Sequence, residues 1–161
     1  MLCAEFSTNT TRSSPLIRPA ERKDVPRIWE LINELADYEK LTHAVTGSAE
    51  ALEKHIFDNK ICWVNVYELD GIVIGYTLCF TVYSTFRTQP GLWMEDLYVT
   101  PLHRGKGYGK ALITFLIEYC RENNLGRLEW SVLDWNISAI RFYESMGATL
   151  LEDWRMCRIS F

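Results

Sequence analysis

Residues 104–110, Arg-Gly-Lys-Gly-Tyr-Gly-Lys, are the segment of the chain best suited to chemistry. Gly105, Gly107 and Gly109 let successive backbone N–H groups turn inward together. A helical apolar pattern begins directly after them, so the positive end of a helix is expected behind the turn. Arg104, Lys106 and Lys110 add full charges, and the combination suits a phosphate group. Two common nucleotide loops do not fit. A Walker A loop needs Ser or Thr after its Gly-Lys, whereas Ala111 follows Gly109-Lys110 and position 104 is Arg. The dinucleotide fingerprint GxGxxG fails at Lys110 when started from Gly105 and at Leu112 when started from Gly107.

Other reactive side chains lie further along the chain. Glu95 and Asp96 are adjacent in a strand-like run, where alternation sends them to opposite faces unless a bulge intervenes. Asn136, Ala139 and Tyr143 fall at i, i+3 and i+7 and line up as one column on a helix. His43, His55 and His103 have no ligand-like spacing with cysteines or acids, so no metal is expected. The five cysteines, Cys3, Cys62, Cys79, Cys120 and Cys157, form no CxxC pair and read as reduced thiols, mostly buried. The strings at Asn9 and Asn136 that match a glycosylation acceptor read as chance.

The elements that must position these groups follow from periodicity. A short strand is expected at 15–18. Asp24 is a candidate N-cap for a helix reaching about Tyr38, with Pro26 in its first turn and Ile28, Leu31, Ile32 and Leu35 on one face. A second helix is expected over 48–57. Strands at 62–69 and 72–83 flank Asp70-Gly71, a two-residue hairpin signal. A loop through Gly91 leads to a strand at 92–99, then the glycine turn, then a helix from Tyr108 to Asn123. A strand over 127–132, a helix from Asn136 to Met146 with Gly147 after it, and one or two closing strands within 148–161 complete the order. The pattern is a mixed α/β (α+β) domain with an antiparallel front half.

Length and composition set outer bounds. A chain of 161 residues fits one domain, expected over 15–161 behind a flexible tail at 1–14. Its 48% hydrophobic content supports a packed core, and its net charge of −4 favours cationic partners over nucleic acid or an anionic membrane. The tail lacks a basic start and an apolar stretch, and no apolar run is long enough to span a bilayer, so a cytoplasmic protein is expected.

The string Arg104-x-x-Gly107-x-Gly109, between a strand ending Leu97-Tyr98-Val99 and an amphipathic helix, resembles the acetyl-CoA loop of the GNAT N-acetyltransferases. The resemblance covers roughly residues 16–161. It is nearest to the small-amine branch, the thialysine and spermidine/spermine acetyltransferases, through NELADYEK at 33–40, YSTF at 83–86, MEDLYV at 94–99 and VLDWN at 132–136. It implies a twisted, mostly antiparallel sheet flanked by about four helices and splayed between its fourth and fifth strands, with acetyl-CoA in the opening. It also implies a homodimer.

The resemblance further implies roles. Backbone at Leu97, Tyr98 and Val99 would bind the pantetheine arm, and Arg104, Gly105, Lys106, Gly107, Tyr108, Gly109 and Lys110 the pyrophosphate. The column Asn136, Ala139 and Tyr143 would meet pantetheine and the sulfur. Acetyl transfer to an amine needs a base, because only about one lysine-like amine in 10³ is neutral at pH 7, and the leaving thiolate benefits from an acid. Glu95 is the candidate base and Tyr143 the candidate acid, with Asp96 sharing the first role if the strand bulges. Tyr38, Glu39, Glu95, Glu129, Trp130 and Ser131 would line the acceptor site. Polyamine enzymes carry an acid and a Trp where this chain has Ser84 and Phe86, so a short diamine or a thialysine/lysine-like amine is expected before spermidine or spermine. A protein acetyltransferase and a non-catalytic CoA-binding regulatory module are the rival readings.

Overall fold

The computed structural model describes residues 16–160. The tail at 1–14, Cys3, the Asn9 string, Pro15 and Phe161 lie outside the described residues. The chain divides into two compact units between Trp130 and Ser131.

The first unit is built on strands β1 (Leu16–Pro19), β2 (Trp63–Leu69), β3 (Ile72–Ser84), β4 (Gln89–Val99) and β5 (Leu128–Glu129), in that spatial order. The first four pair antiparallel and β5 runs parallel to β4. Helix α1 (Val25–Tyr38) packs Ile28 and Leu31 against Val64, Val66, Tyr76 and Tyr98 on one face of the sheet. Short α2 (Ala49–Glu53) continues in a π turn over Lys54–Asp58, which adds Ile56 to that layer. Helix α3 (Tyr108–Glu122) covers the opposite face, with Leu112 against Tyr67, Ile74 and Val99. The second unit carries α4 (Ile137–Ser145).

Several turns follow directly from residue type. Asp70 at φ 50° and Gly71 at φ 80° make the β2–β3 hairpin with both central residues left-handed, as Asp-Gly prefers. Ser48 Oγ accepts the Ala51 N–H at 3.2 Å and starts α2, and Asn136 Oδ1 accepts the Ala139 N–H at 3.2 Å and starts α4. Asp24 stands at the N-cap position of α1 but makes no capping bond there. Its carboxylate instead accepts the Glu21 N–H at 2.8 Å and a two-pronged contact from Arg18 at 2.6 and 3.0 Å.

The β3–β4 hairpin is longer than its Pro and Gly residues suggest. Pairing continues through Tyr83↔Pro90 to Ser84↔Gln89, leaving only residues 85–88 as the loop. Proline is tolerated because Pro90 faces its missing N–H away from β3: its carbonyl accepts from Gly126, and the Leu92 N–H two residues on donates to Arg127, both on the β5 side. Gly91 is needed for close approach, since a Cβ there would meet Arg127 Cγ at 3.0 Å.

At the other end, β5 keeps only two of the residues expected for it, and residues 148–160 form no strand. The apolar side chains in that stretch, Leu150, Leu151, Trp154, Met156 and Ile159, are all exposed, so none is buried against a sheet face. Cys79 and Cys120 are buried, Cys62 is half-buried and Cys157 is exposed, all as free thiols. No helix among the described residues is long and apolar enough to cross a membrane.

Candidate functional site

The site begins where β4 loses its parallel neighbour. The β4–β5 ladder consists of Leu92↔Leu128 and Trp93↔Glu129, so beyond Trp93 that edge of β4 has no ladder partner among the described residues. Alternation decides which amides face the opening. Thr100 N–H donates to Ile74 on β3 at 2.9 Å, so Leu97 and Val99 present their peptide groups to the open side. That is the geometry in which an extended, amide-bearing ligand can add itself as a strand.

A bulge sits at the mouth of the opening. Leu78 pairs with Asp96 and Cys79 with Met94, which leaves Glu95 as the extra residue. The bulge cancels simple alternation and brings both carboxylates to the α1 side. Asp96 accepts the Tyr76 hydroxyl at 3.0 Å, and Glu95 accepts the Trp93 indole N–H at 2.8 Å, with Trp93 and Tyr76 both on that face. Glu95 is exposed, whereas the Asp96 carboxyl lies among packed atoms. Burial, opposed by the Tyr76 hydrogen bond and reinforced by the charges of Glu95 and Glu39, raises the Asp96 carboxyl to about 6. Burial also raises Glu39, at the C-cap of α1, and holds the Tyr76 phenol well above its ordinary value. Three carboxylates thus converge on one face, where a cation would relieve their mutual repulsion.

The glycine turn follows β4. Gly105 at φ 73° and Gly107 at φ 87° adopt left-handed backbone that other residues resist, and a Cβ at either would meet nothing within 4 Å, so conformation and not space selects glycine. Gly107 is the N-cap of α3 and supplies no side chain to close it. The first-turn N–H groups therefore suit a phosphate, with Lys106 and Lys110 alongside. Arg104 is oriented differently from the simple phosphate ligand expected. Its Nε donates to the Val99 carbonyl at 3.0 Å, and its guanidinium carbon lies 4.5 Å from the Tyr38 ring centre and 5.2 Å from that of Tyr98.

Further expected residues lie on β5, at the end of the first unit and in the second unit. Glu129, on β5, lies 2.7 Å from Arg127 in an ion pair, and Trp130 closes the first unit. Ser131 and the column Asn136, Ala139 and Tyr143 belong to the second unit, where Asn136 is the buried cap of α4 and the Tyr143 ring stands 5.3 Å from that of Phe142. Tyr76 and Glu34 were not expected. Tyr76 reads as a core aromatic, and only the β3–β4 register shows that its hydroxyl meets Asp96. Glu34, on the exposed side of a helix pattern, accepts the Tyr98 hydroxyl at 3.1 Å. A cavity of about 400 Å³ lined by Ile56, Phe57, Trp63, Phe115 and Tyr119 lies elsewhere and is lined by no acid or cation, so it is not this site.

Residues 26–148 match the acetyltransferase (GNAT) family. The chain is 35% identical to a thialysine N-epsilon-acetyltransferase of Sus scrofa over 91% of this chain and 92% of that one. It is 29% identical to an L-ornithine N5-acetyltransferase of Arabidopsis thaliana, over 97% and 89% respectively. A solved aminoglycoside acetyltransferase from an uncultured soil metagenomic sample superposes with a TM-score of 0.76 at 20% identity, covering 91% and 96%, and shares the fold. The parted fourth strand and the glycine turn are thus accounted for together: the chain belongs to the acetyltransferase (GNAT) family and is an N-acetyltransferase.

Proposed function

We propose that the protein transfers the acetyl group of acetyl-CoA to the primary amine of a small cationic acceptor, a thialysine- or lysine-like amine or a short diamine. The observation that carries this reading is the bulge at Glu95, which puts Glu95 and Asp96 at the edge where β4 is left open, with Asp96 within electrostatic reach of Glu39. Acetyl-CoA fits the residues present: the open peptide group of Leu97 and the N–H of Val99 suit its pantetheine arm, the Val99 carbonyl being held by Arg104, and the turn from Gly105 to Lys110 suits its diphosphate.

The acceptor arrives as an ammonium ion drawn by the acidic face. Glu95, directly or through a water, takes its proton, and the free amine attacks the thioester carbonyl in a ternary complex. The C–N bond forms as the C–S bond breaks. Glu95, once it has passed the first proton to solvent, takes the surplus proton from nitrogen; the departing thiolate takes one from Tyr143, which solvent then reprotonates, so the net reaction releases one proton.

A short acceptor is supported by the β3–β4 hairpin tip. There Ser84 Oγ accepts the Arg87 N–H at 3.3 Å and Phe86 is 99% exposed, so the tip offers no carboxylate for a long polycation. The relatives named for thialysine and L-ornithine support the same choice. The reading takes the enzyme to be cytoplasmic, as its tail and apolar runs lead one to expect, and homodimeric, as the resemblance implies. Thiol release from acetyl-CoA, measured with thialysine, lysine, ornithine, putrescine and spermidine, tests it. The expected result is the highest kcat/KM among the first four, and absence of thiol release with all five overturns the proposal.

A further inference from the structure

Arg104 opens the glycine turn, yet its side chain points back to the acceptor side. Its Nε is bonded to the Val99 carbonyl at 3.0 Å, which fixes the stem to the end of β4. The guanidinium then lies over two rings, Tyr98 at 5.2 Å and Tyr38 at 4.5 Å. These rings differ in what they belong to. Tyr98 is buried in the sheet and anchored through its hydroxyl to Glu34, which lies 3.1 Å from Arg27, itself bonded to the Val73 carbonyl at 3.2 Å. Tyr38 is the last residue of α1, is more than one-third exposed, and immediately precedes Glu39, whose charge is felt by Asp96 and Tyr76. One planar cation therefore joins the phosphate turn on one side to the acidic acceptor face on the other.

We infer that Arg104 is a positioning residue that couples the two substrate subsites: the guanidinium seats the Tyr38 ring, so that CoA in the glycine turn and amine at the acidic face each strengthen the binding of the other. This rests on the acetyl-transfer reading above. A diphosphate in the turn fixes the backbone on either side of Arg104 and with it the plane on which Tyr38 rests. Coupling of this kind is reciprocal, so it can be read from either ligand. Lysine cannot replace arginine, because it lacks both the planar face and the fixed fork that reaches Val99.

The test is a binding cycle with CoA, which cannot transfer acetyl, and thialysine, each titrated calorimetrically alone and with the other saturating. In the wild type, thialysine should bind about fivefold or more tighter when CoA is present, with the same factor for CoA. In Arg104→Lys and in Tyr38→Leu the factor should fall to about one, whereas Tyr38→Phe, which keeps the ring, should retain it. The Phe variant separates ring seating from general damage, and Tyr38→Leu tests the link from the far end if a change at Arg104 fails to fold. A wild-type factor near one overturns the inference. So does a factor unchanged in Arg104→Lys, or one kept in Tyr38→Leu, which would mean that charge alone does the coupling. Failure of CoA to bind the wild type would instead overturn the acetyl-transfer reading itself.

Discussion

Asp96 is an acid made unusual by its surroundings. Packed atoms and the nearby charges of Glu95 and Glu39 raise it to about 6, and the Tyr76 hydroxyl only partly opposes this. Below that pH the carboxyl is neutral and cannot attract an ammonium ion; above it, the negative charge is present. The kcat/KM for the acceptor should therefore fall as pH drops through about 6. In Asp96→Asn the value at pH 8 should be lower, on the order of tenfold, and that acid limb should be lost, which a pH profile of both proteins checks. Tyr143 makes a different prediction. As the proposed proton donor to sulfur, it matters to the transition state more than to binding, so Tyr143→Phe should lower kcat by roughly 10²-fold while the Kd for acetyl-CoA stays within about twofold. An unchanged kcat removes Tyr143 from the proton path.

Elements explain why some of this could be read from the chain and some could not. The Asp70-Gly71 hairpin, the Asn136 cap and the glycine turn depend on local backbone preferences, and each lies where residue type places it. The bulge at Glu95 does not, because an extra residue is defined only by what the neighbouring strand pairs with. The same is true of the Tyr76–Asp96 bond and of Arg104 over Tyr38, which join segments far apart in sequence. The length of the β3–β4 hairpin was obscured by Pro90, whose consequence depends on which edge its nitrogen faces. Gly75 shows how closely these strands are fitted. A Cβ there would lie 2.6 Å from the Tyr98 carbonyl oxygen and 3.1 Å from Val99 Cγ2. Gly75→Ala should push the end of β4 outward, costing about 1–3 kcal/mol of stability in urea unfolding and raising the KM for acetyl-CoA.

For the molecule as a whole, a net charge of −4 conceals two regions of opposite sign, a basic turn beside an acidic face. A third charge cluster has a structural part. Arg18 on β1 reaches Asp24 at 2.6 Å and Glu68 on β2 at 2.7 Å, tying the edge of the sheet to the entry of α1. The Arg18 hydrogen bond holds the Asp24 carboxyl below its ordinary value. Its stabilisation is therefore complete above about pH 4, the unfolded value, and is lost as pH falls through the lower folded value. Asp96, raised in the fold, acts in the opposite sense and weakens the fold as pH climbs from about 4 to about 6. Thermal melts across pH 2–5 should show Asp24→Asn losing the acid-side slope that the wild type has, and parallel curves would argue against this account.

Pro90 has a consequence beyond its own turn. With no N–H to offer β5, it prevents the parallel pairing from sliding toward the start of β4, and a shift of one residue the other way would reverse which face every β5 side chain occupies. The fork in the sheet is thus pinned at Trp93 by covalent structure. Among the described residues, no rung has to be unzipped before an extended ligand can lie along residues 94–99, so its arrival is governed by encounter and orientation instead of by the slow peeling of a strand.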